Sequence, residues 1–222
     1  MDNGIKLNLL GLGGVCSIAL DIIQNYKKDI SVSTIYDDSI EKINKIYNNH
    51  LIKDAISNYV VSASNGTIYF NCLGNINAIK NRIYYSKLLK EKGAKTINII
   101  HPNCFLSNEI SIGVGNLICP GVIINTKASV GDENIIFSNS VIEHDSSLGN
   151  LCYVSPSVTI CGKVNIEDHV YIGPNAVITA GINIGKNSII GAGAVVLKNV
   201  PENSVFVGNP AKYLKANELW GI

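Results

Sequence analysis

Residues 130–160 read VGDENIIFSNSVIEHDSSLGNLCYVSPSVTI, and every sixth position is aliphatic: Val130, Ile136, Ile142, Leu148, Val154 and Ile160. Followed outward, the rhythm starts at Leu106 and ends at Val196, sixteen positions without a break. The residue two before each is often small or β-branched, as at Val122, Ala128, Ser140, Val158 and Ala176. Gly follows the aliphatic position at 113, 131, 149, 173, 185 and 191. A helix of about 3.6 residues per turn cannot hold a strict period of six, and strand alternation does not single out every third even position. A triangular coil does both. Each short strand points one aliphatic residue inward, and a tight turn carries the chain to the next face. Gly, Asn and Asp are expected at such corners because they tolerate φ > 0. Three hexads make one coil, so residues 106–196 make about five coils, a parallel β-helix some 24 Å long at roughly 4.8 Å per stacked strand.

The first hundred residues alternate strand and helix instead. Strands are expected at Ile5–Leu10, Ile30–Tyr36, Thr67–Leu73 and Thr96–Ile100, with helices near Cys16–Tyr26 and Ile76–Glu91. That order implies a small parallel sheet with crossover helices, an α/β, Rossmann-like domain. Ligands of such sheets bind outside the carboxyl ends of the strands. The turn Gly11-Leu12-Gly13-Gly14, the pair Asp37-Asp38 and Gly74-Asn75 all fall at those ends. A full G-x-G-x-x-G fingerprint needs Gly at 16, where Cys16 stands, so NAD is not the expected ligand. A glycine turn opening a helix still suits phosphate. The two carboxylates suit either a ribose hydroxyl or a solvated tight turn, and local pattern does not choose between them. The expected division is residues 1–102, residues 103–200, and a turn and tail over 201–222.

Composition narrows the field. With 46% apolar and 16% charged residues the chain reads as soluble and globular. A net charge of +1 gives no electrostatic footprint for nucleic acid. No apolar run approaches the roughly 20 residues of a membrane span, and the start Met1-Asp2-Asn3-Gly4 lacks the features of a signal peptide. The six cysteines, with no C-x-x-C pair, read as reduced, buried thiols of a cytoplasmic protein. No zinc or other metal is expected.

Of four histidines, His50 reads as surface, His101 before Pro102 as structural, and His169 as a solvated corner. His144 stands in Ile142-Glu143-His144-Asp145, two residues past an inward Ile, so it should project outward near a corner. Acidic neighbours can orient an imidazole and fix its tautomer. One coil on is Gly162, whose backbone N–H should lie one strand spacing away with no side chain to block a ligand. A base beside an exposed N–H donor is a minimal acyl-transfer arrangement. Spacing alone leaves a solvated histidine equally open.

These motifs, with His101-Pro102 and Gly208-Asn209-Pro210-Ala211-Lys212, make the chain resemble the hexapeptide-repeat sugar acyltransferases grouped with sialic-acid O-acetyltransferases and with bacillosamine and perosamine N-acetyltransferases. The resemblance spans nearly the whole chain. It implies a left-handed β-helix and a homotrimer with acetyl-CoA between adjacent prisms. It implies His144 as general base, Asp145 orienting it with Glu143 nearby, and the Gly162 N–H holding the thioester oxyanion. Pro174 and Ala192 would line the pantetheine arm, and Asn209 and Lys212 would lie towards the nucleotide end of CoA. The nucleotide of the sugar would rest on Gly13, Gly14, Asp37, Asp38 and Asn75. Val15 stands where relatives often have His, and Phe137 where Asn is common, which alters the wall beside the sugar.

The expected activity is acetyl transfer from acetyl-CoA to the amino group of a nucleotide-linked 4-amino-4,6-dideoxy sugar. The rivals are O-acetylation of a sialic acid or related sugar, a zinc carbonic anhydrase on the same prism, and a non-catalytic nucleotide-sugar-binding protein.

Overall fold

A computed structural model describes residues 4–220, leaving Met1–Asn3 of the expected start and Gly221 and Ile222 of the expected tail outside. The chain divides into two compact units, one ending at Ile99 and the other beginning at Ile100.

The first unit is a six-stranded sheet in the order β3-β4-β2-β1-β5-β6. Its strands are β1 (Ile5–Leu10), β2 (Ile30–Tyr36), β3 (Ile46–Tyr47), β4 (His50–Asp54), β5 (Ile68–Asn71) and β6 (Lys95–Thr96). All neighbours are parallel except β3 and β4, which form an antiparallel hairpin. Its helices are α1 (Gly14–Tyr26), α2 (Ile56–Ser62) and α3 (Ile79–Glu91). Helix α1 is amphipathic: Val15, Cys16, Ala19, Leu20, Ile22 and Ile23 fall on one stripe and are buried. Helices α2 and α3 share a core with Leu10 and Tyr69, built from Ile56, Tyr59, Val60, Tyr85 and Leu89.

Three features differ from expectation. The β3–β4 hairpin turns on Asn48 and Asn49, both at positive φ (46° and 65°), the backbone a two-residue hairpin loop requires. His50, read as surface, opens β4 and is half-buried. Helix α2 was not expected. The strand expected over Thr96–Ile100 is two: Lys95–Thr96 pairs with β5, while Ile99–Ile100 is the first strand of a prism sheet.

In the second unit all sixteen aliphatic positions end a two-residue strand, from Phe105–Leu106 to Val195–Val196. The strands stack as a left-handed parallel β-helix with three faces. Face one holds 117–118, 135–136, 153–154, 171–172 and 189–190; face two runs from 105–106 to 195–196; face three runs from 111–112 to 183–184. Each strand pairs in register with the one eighteen residues on, as Ile124 with Ile142 and Ile142 with Ile160. The inward rows leave Ile142 and Ile178 at 0% and Ile160 at 1% exposure. Each such side chain contributes about 1.5–3 kcal/mol of apolar burial.

The corners obey a second strict period. Every sixth residue from Gly115 to Gly193 has positive φ, and most are not glycine: Lys127, Glu133, Asn139, Asp145, Leu151, Ser157, Lys163, His169, Asn175 and Asn187. Each is held by a coil-to-coil bond, its N–H reaching a carbonyl in the coil before, as Asp145 to Thr126 and Lys163 to His144. The glycines after the aliphatic positions have a different cause. A Cβ on Gly131 would stand 2.7 Å from the Gly149 carbonyl oxygen, because successive coils touch there. The same corner carries an Asx column: Asp132 Oδ1 accepts from Val114 N–H, Asn150 Oδ1 from Asp132 N–H, and Asp168 Oδ1 from Asn150 N–H.

The C-terminal turn and tail extend face one. Strand Ser204–Val207 pairs with Ile189–Ile190 and with the antiparallel strand Lys212–Ala216. Trp220 is 2% exposed within its own chain, whereas Leu214 and Leu219 are exposed. All six cysteines are free; Cys16, Cys72, Cys119 and Cys152 are buried as expected, but Cys104 and Cys161 are only partly so. Burial pushes the Cys119 thiol up to about 12. Among the described residues no helix is long and apolar enough to cross a membrane.

Candidate active site

His144 and Asp145 occupy the edge between faces two and three, just past the inward Ile142. The left-handed backbone of Asp145 (φ 57°) turns its carboxylate back beside the preceding ring. His144 Nδ1 lies 2.8 Å from Asp145 Oδ2, with side chains 50% and 43% exposed. A carboxylate only accepts, so Nδ1 carries the proton of this bond, and in the neutral ring the lone pair is on Nε2. The hydrogen bond from His144, joined by the charges of Lys127 and Lys163 on the adjoining coils, holds the Asp145 carboxyl below the usual carboxylate range. Glu143 reaches the same turn from the other side: its Oε2 accepts weakly from the His144 N–H at 3.4 Å.

Gly162 lies one coil on, at the position of His144 itself. It is buried rather than open. The imidazole covers it: a Cβ on Gly162 would meet His144 Nε2 at 2.7 Å and Cε1 at 2.8 Å. Its carbonyl accepts from the Gly181 N–H at 3.1 Å. The ring therefore drops along the prism onto the glycine backbone instead of projecting freely.

Pro174 and Ala192 lie on a different edge, between faces one and two, one coil apart and both exposed. Gly193 N–H donates to the Pro174 carbonyl at 2.8 Å. Asn209 and Lys212 flank the final turn, which is tied to face two: Val195 N–H donates to Gly208 O and Ala211 N–H to Val195 O. Phe137 opens an aromatic ladder on face one, 5.1 Å from Tyr153, which stacks on Tyr171 at 5.0 Å and 13°.

In the first unit, the glycine turn surrounds a cavity of about 250 Å³ with Asp37, Lys42 and residues 72–75. Gly13 and Gly14 are exposed, and a Cβ on either would meet nothing within 4 Å. Asp37 is 6% exposed and committed to the turn. Its Oδ2 accepts from Leu12 N–H at 2.6 Å, its Oδ1 from Ser39 N–H at 2.9 Å, and Lys42 Nζ lies 3.2 Å from Oδ1. Burial alone would raise its pKa, but the Leu12 and Ser39 amides and the Lys42 ammonium outweigh it and hold the carboxyl below the usual range. Asp38 faces away from the cavity. Its Oδ1 accepts from the first amide of α2, Ile56 N–H, and its Oδ2 from the Tyr85 hydroxyl. Asn75 lines the cavity, and its Oδ1 accepts from the Asn77 and Ala78 amides in the turn that leads into α3. Beneath it Asn71 bonds Ser86 Oγ and the Arg82 carbonyl, fixing the end of β5 on α3.

Sequence reading did not single out Lys42, whose Nζ also bonds the Leu12 carbonyl at 3.2 Å. Nor did it find the groove of about 350 Å³ on face three, lined by Ser147, Asn165, Glu167, Asp168 and Lys186. Polar outward residues are the default of a solenoid, so nothing in their pattern marked them. His169, expected to be solvated, is half-buried with Nδ1 3.0 Å from Asn187 Oδ1. His101 is 7% exposed, and its Nδ1 accepts from Asn103 N–H. Among the described residues no three His, Cys, Asp or Glu side chains are grouped to hold a metal ion.

Residues 163–198 match the family of bacterial transferase hexapeptide repeats, six repeats. No curated protein sequence matches the chain significantly. Among solved structures the chain is similar to PerB of Caulobacter crescentus in complex with CoA and GDP-perosamine, at 24% identity and a TM-score of 0.81, covering 95% of this chain and 97% of that one. It is similar to WeeI of Acinetobacter baumannii AYE, at 25% identity and a TM-score of 0.78, covering 95% and 100%. It is also similar to the acetyltransferase domain of PglB from Neisseria gonorrhoeae FA1090 in complex with acetyl coenzyme A, at 21% identity and a TM-score of 0.80, covering 95% and 100%. The likeness to all three extends through both units.

Proposed function

We propose that the chain is an acetyl-CoA-dependent N-acetyltransferase whose acceptor is the amino group of a nucleotide-linked 4-amino-4,6-dideoxy sugar. One observation carries the reading: an imidazole with Nδ1 tied to a carboxylate at 2.8 Å, and Nε2 against the backbone of a glycine one coil away. That is a base of fixed tautomer beside a backbone amide. Thioesters are already activated, so a positioned base and an oxyanion donor suffice for transfer. The amine nitrogen attacks the thioester carbonyl carbon while His144 Nε2 takes its proton, Asp145 stabilises the imidazolium that forms, and the Gly162 N–H faces the developing oxyanion. The C–S bond then breaks, and CoA leaves as a thiolate that recovers the proton from His144. The fold shared with structures bearing CoA, GDP-perosamine and acetyl-CoA supports the substrate pair.

The reading includes a homotrimer. Pro174 and Ala192 stand on one edge of face two and His144 on the other, so a groove using both is more readily closed by two prisms. The outward row of face two is apolar except at Thr159, with Phe105 at 57% and Ile123 at 36% exposure, continued by Val141, Val177 and Val195. The open glycine turn at Gly13 and Gly14 is the proposed seat of the nucleotide, with Asn75 and Lys42 on the rim. Asp37 holds that turn, and Asp38 acts at one remove through α2.

The test is thiol release from acetyl-CoA with UDP-, GDP- and dTDP-linked 4-amino-4,6-dideoxy sugars, each beside its 4-hydroxy counterpart. Release with one amino series, lost in His144→Ala, is the expected result. Turnover of the hydroxy sugars alone would make the enzyme an O-acetyltransferase. Ligand binding with no thiol release from folded protein would make it a binding protein.

A further inference from the structure

We propose that Gly162 is the seat of the His144 imidazole, a positioning residue whose missing side chain fixes where Nε2 points. This deepens the reading of His144 as the base and rests on it.

The backbone at 162 does not demand glycine, because its φ lies outside the left-handed region that elsewhere marks these corners. What demands it is the ring. A methyl at 162 would stand 2.7 Å from Nε2, 2.8 Å from Cε1 and 3.3 Å from Cδ2, well inside ordinary van der Waals contact. Neither backbone is free to yield. Lys163 N–H holds the His144 carbonyl at 3.0 Å, and Gly181 N–H holds the Gly162 carbonyl at 3.1 Å. The imidazole is the movable part, being half exposed. A side chain at 162 therefore swings the ring outward, lengthens the 2.8 Å bond from Nδ1 to Asp145, and removes Nε2 from the amide beside it. One absent Cβ thus sets tautomer, orientation and the distance between base and oxyanion donor together.

The oxyanion role of the Gly162 N–H taken alone forecasts no such loss, since alanine keeps the N–H. Gly162→Ala, His144→Ala and the double variant are compared by thiol release from acetyl-CoA, using the amino sugar of the panel that wild type turns over. The seat predicts a loss on the order of 100-fold in kcat for Gly162→Ala, the size of a displaced general base, with KM for acetyl-CoA unchanged. It also predicts no further loss when Gly162→Ala is added to His144→Ala, because no ring remains to displace. A second, acceptor-independent readout is the rate at which diethyl pyrocarbonate modifies His144, followed by mass of its peptide. That rate should rise several-fold in Gly162→Ala, since Nε2 is uncovered. Near-wild-type turnover with an unchanged modification rate would overturn the proposal. A full extra loss in the His144→Ala background would also overturn it. Should Gly162→Ala not fold, the wild-type nuclear Overhauser contact between the Gly162 α protons and His144 Hε1 decides, its absence refuting the seat. Wild-type turnover by His144→Ala would instead sink the base assignment, leaving the modification rate to judge the seat alone.

Discussion

The Leu12 amide donates to Asp37 Oδ2 at 2.6 Å, joining the loop after β1 to the end of β2 across 25 residues of sequence. With Ser39 N–H and Lys42 on the other oxygen, it makes Asp37 the clasp of the glycine turn. Because these groups hold the folded carboxyl below the usual carboxylate range, the unfolded chain binds the proton more tightly. The stabilisation is complete above the ordinary carboxylate pKa of about 4 and is lost as pH falls through the lower folded value. Asp37→Asn should lower unfolding stability by about 1–3 kcal/mol at neutral pH, since it leaves Lys42 and one amide poorly matched. It should also flatten the decline in urea midpoint between neutral pH and acid. Equal acid slopes in the two proteins would refute the clasp.

In the proposed reaction Asp145 orients rather than reacts. Its carboxyl is held low first by the His144 hydrogen bond, so it is ionised throughout the neutral range. Asp145→Asn keeps an acceptor for Nδ1–H but withdraws the charge that stabilises imidazolium. A fall of roughly 10–100-fold in kcat/KM is expected, smaller than for His144→Ala, with no change in the melting temperature. A variant as inactive as His144→Ala, yet fully folded, would give Asp145 a role beyond orientation.

The period of six made the prism legible because every inward row must be aliphatic, and no other fold imposes that spacing. The reason for its glycines was less legible. Gly131 and Gly149 answer to a coil stacked against them, which spacing does not reveal, while left-handed φ falls on ordinary residues such as Lys127 and Leu151. The β3–β4 hairpin had a signal in Asn48-Asn49, but short flanking strands with little alternation hid it. His144 and Gly162 were recoverable because eighteen residues make one coil. The burial of Gly162 was not, since it depends on which way the imidazole falls. The roles of Asp37 and Asp38 were left open because Leu12, Lys42, Ile56 and Tyr85 become their partners only through strand order.

Trp220 belongs to the folded chain. It is 2% exposed, at the end of a tail pinned by Asn217 Nδ2 to the Asn187 carbonyl at 2.7 Å. Trp220→Ala should cost about 3–5 kcal/mol, and Leu219→Ala, at 52% exposure, under about 0.5 kcal/mol. Guanidinium unfolding distinguishes them, and equal midpoints would contradict the packing.

Leu151 offers a gain. Its φ of 54° is set by the corner, where its N–H donates to the Asp132 carbonyl at 2.8 Å, so the coil imposes a conformation that leucine resists. Asparagine tolerates that region through its short polar side chain, and Asn139, Asn175 and Asn187 already occupy equivalent corners. The side chain of Leu151 is half-buried, so little apolar burial is given up. Leu151→Asn should therefore raise stability by about 0.5–1 kcal/mol, a shift of roughly 1–4 °C in melting temperature for a chain of this size. A lower melting temperature would mean that the packing of the leucine outweighs its backbone strain.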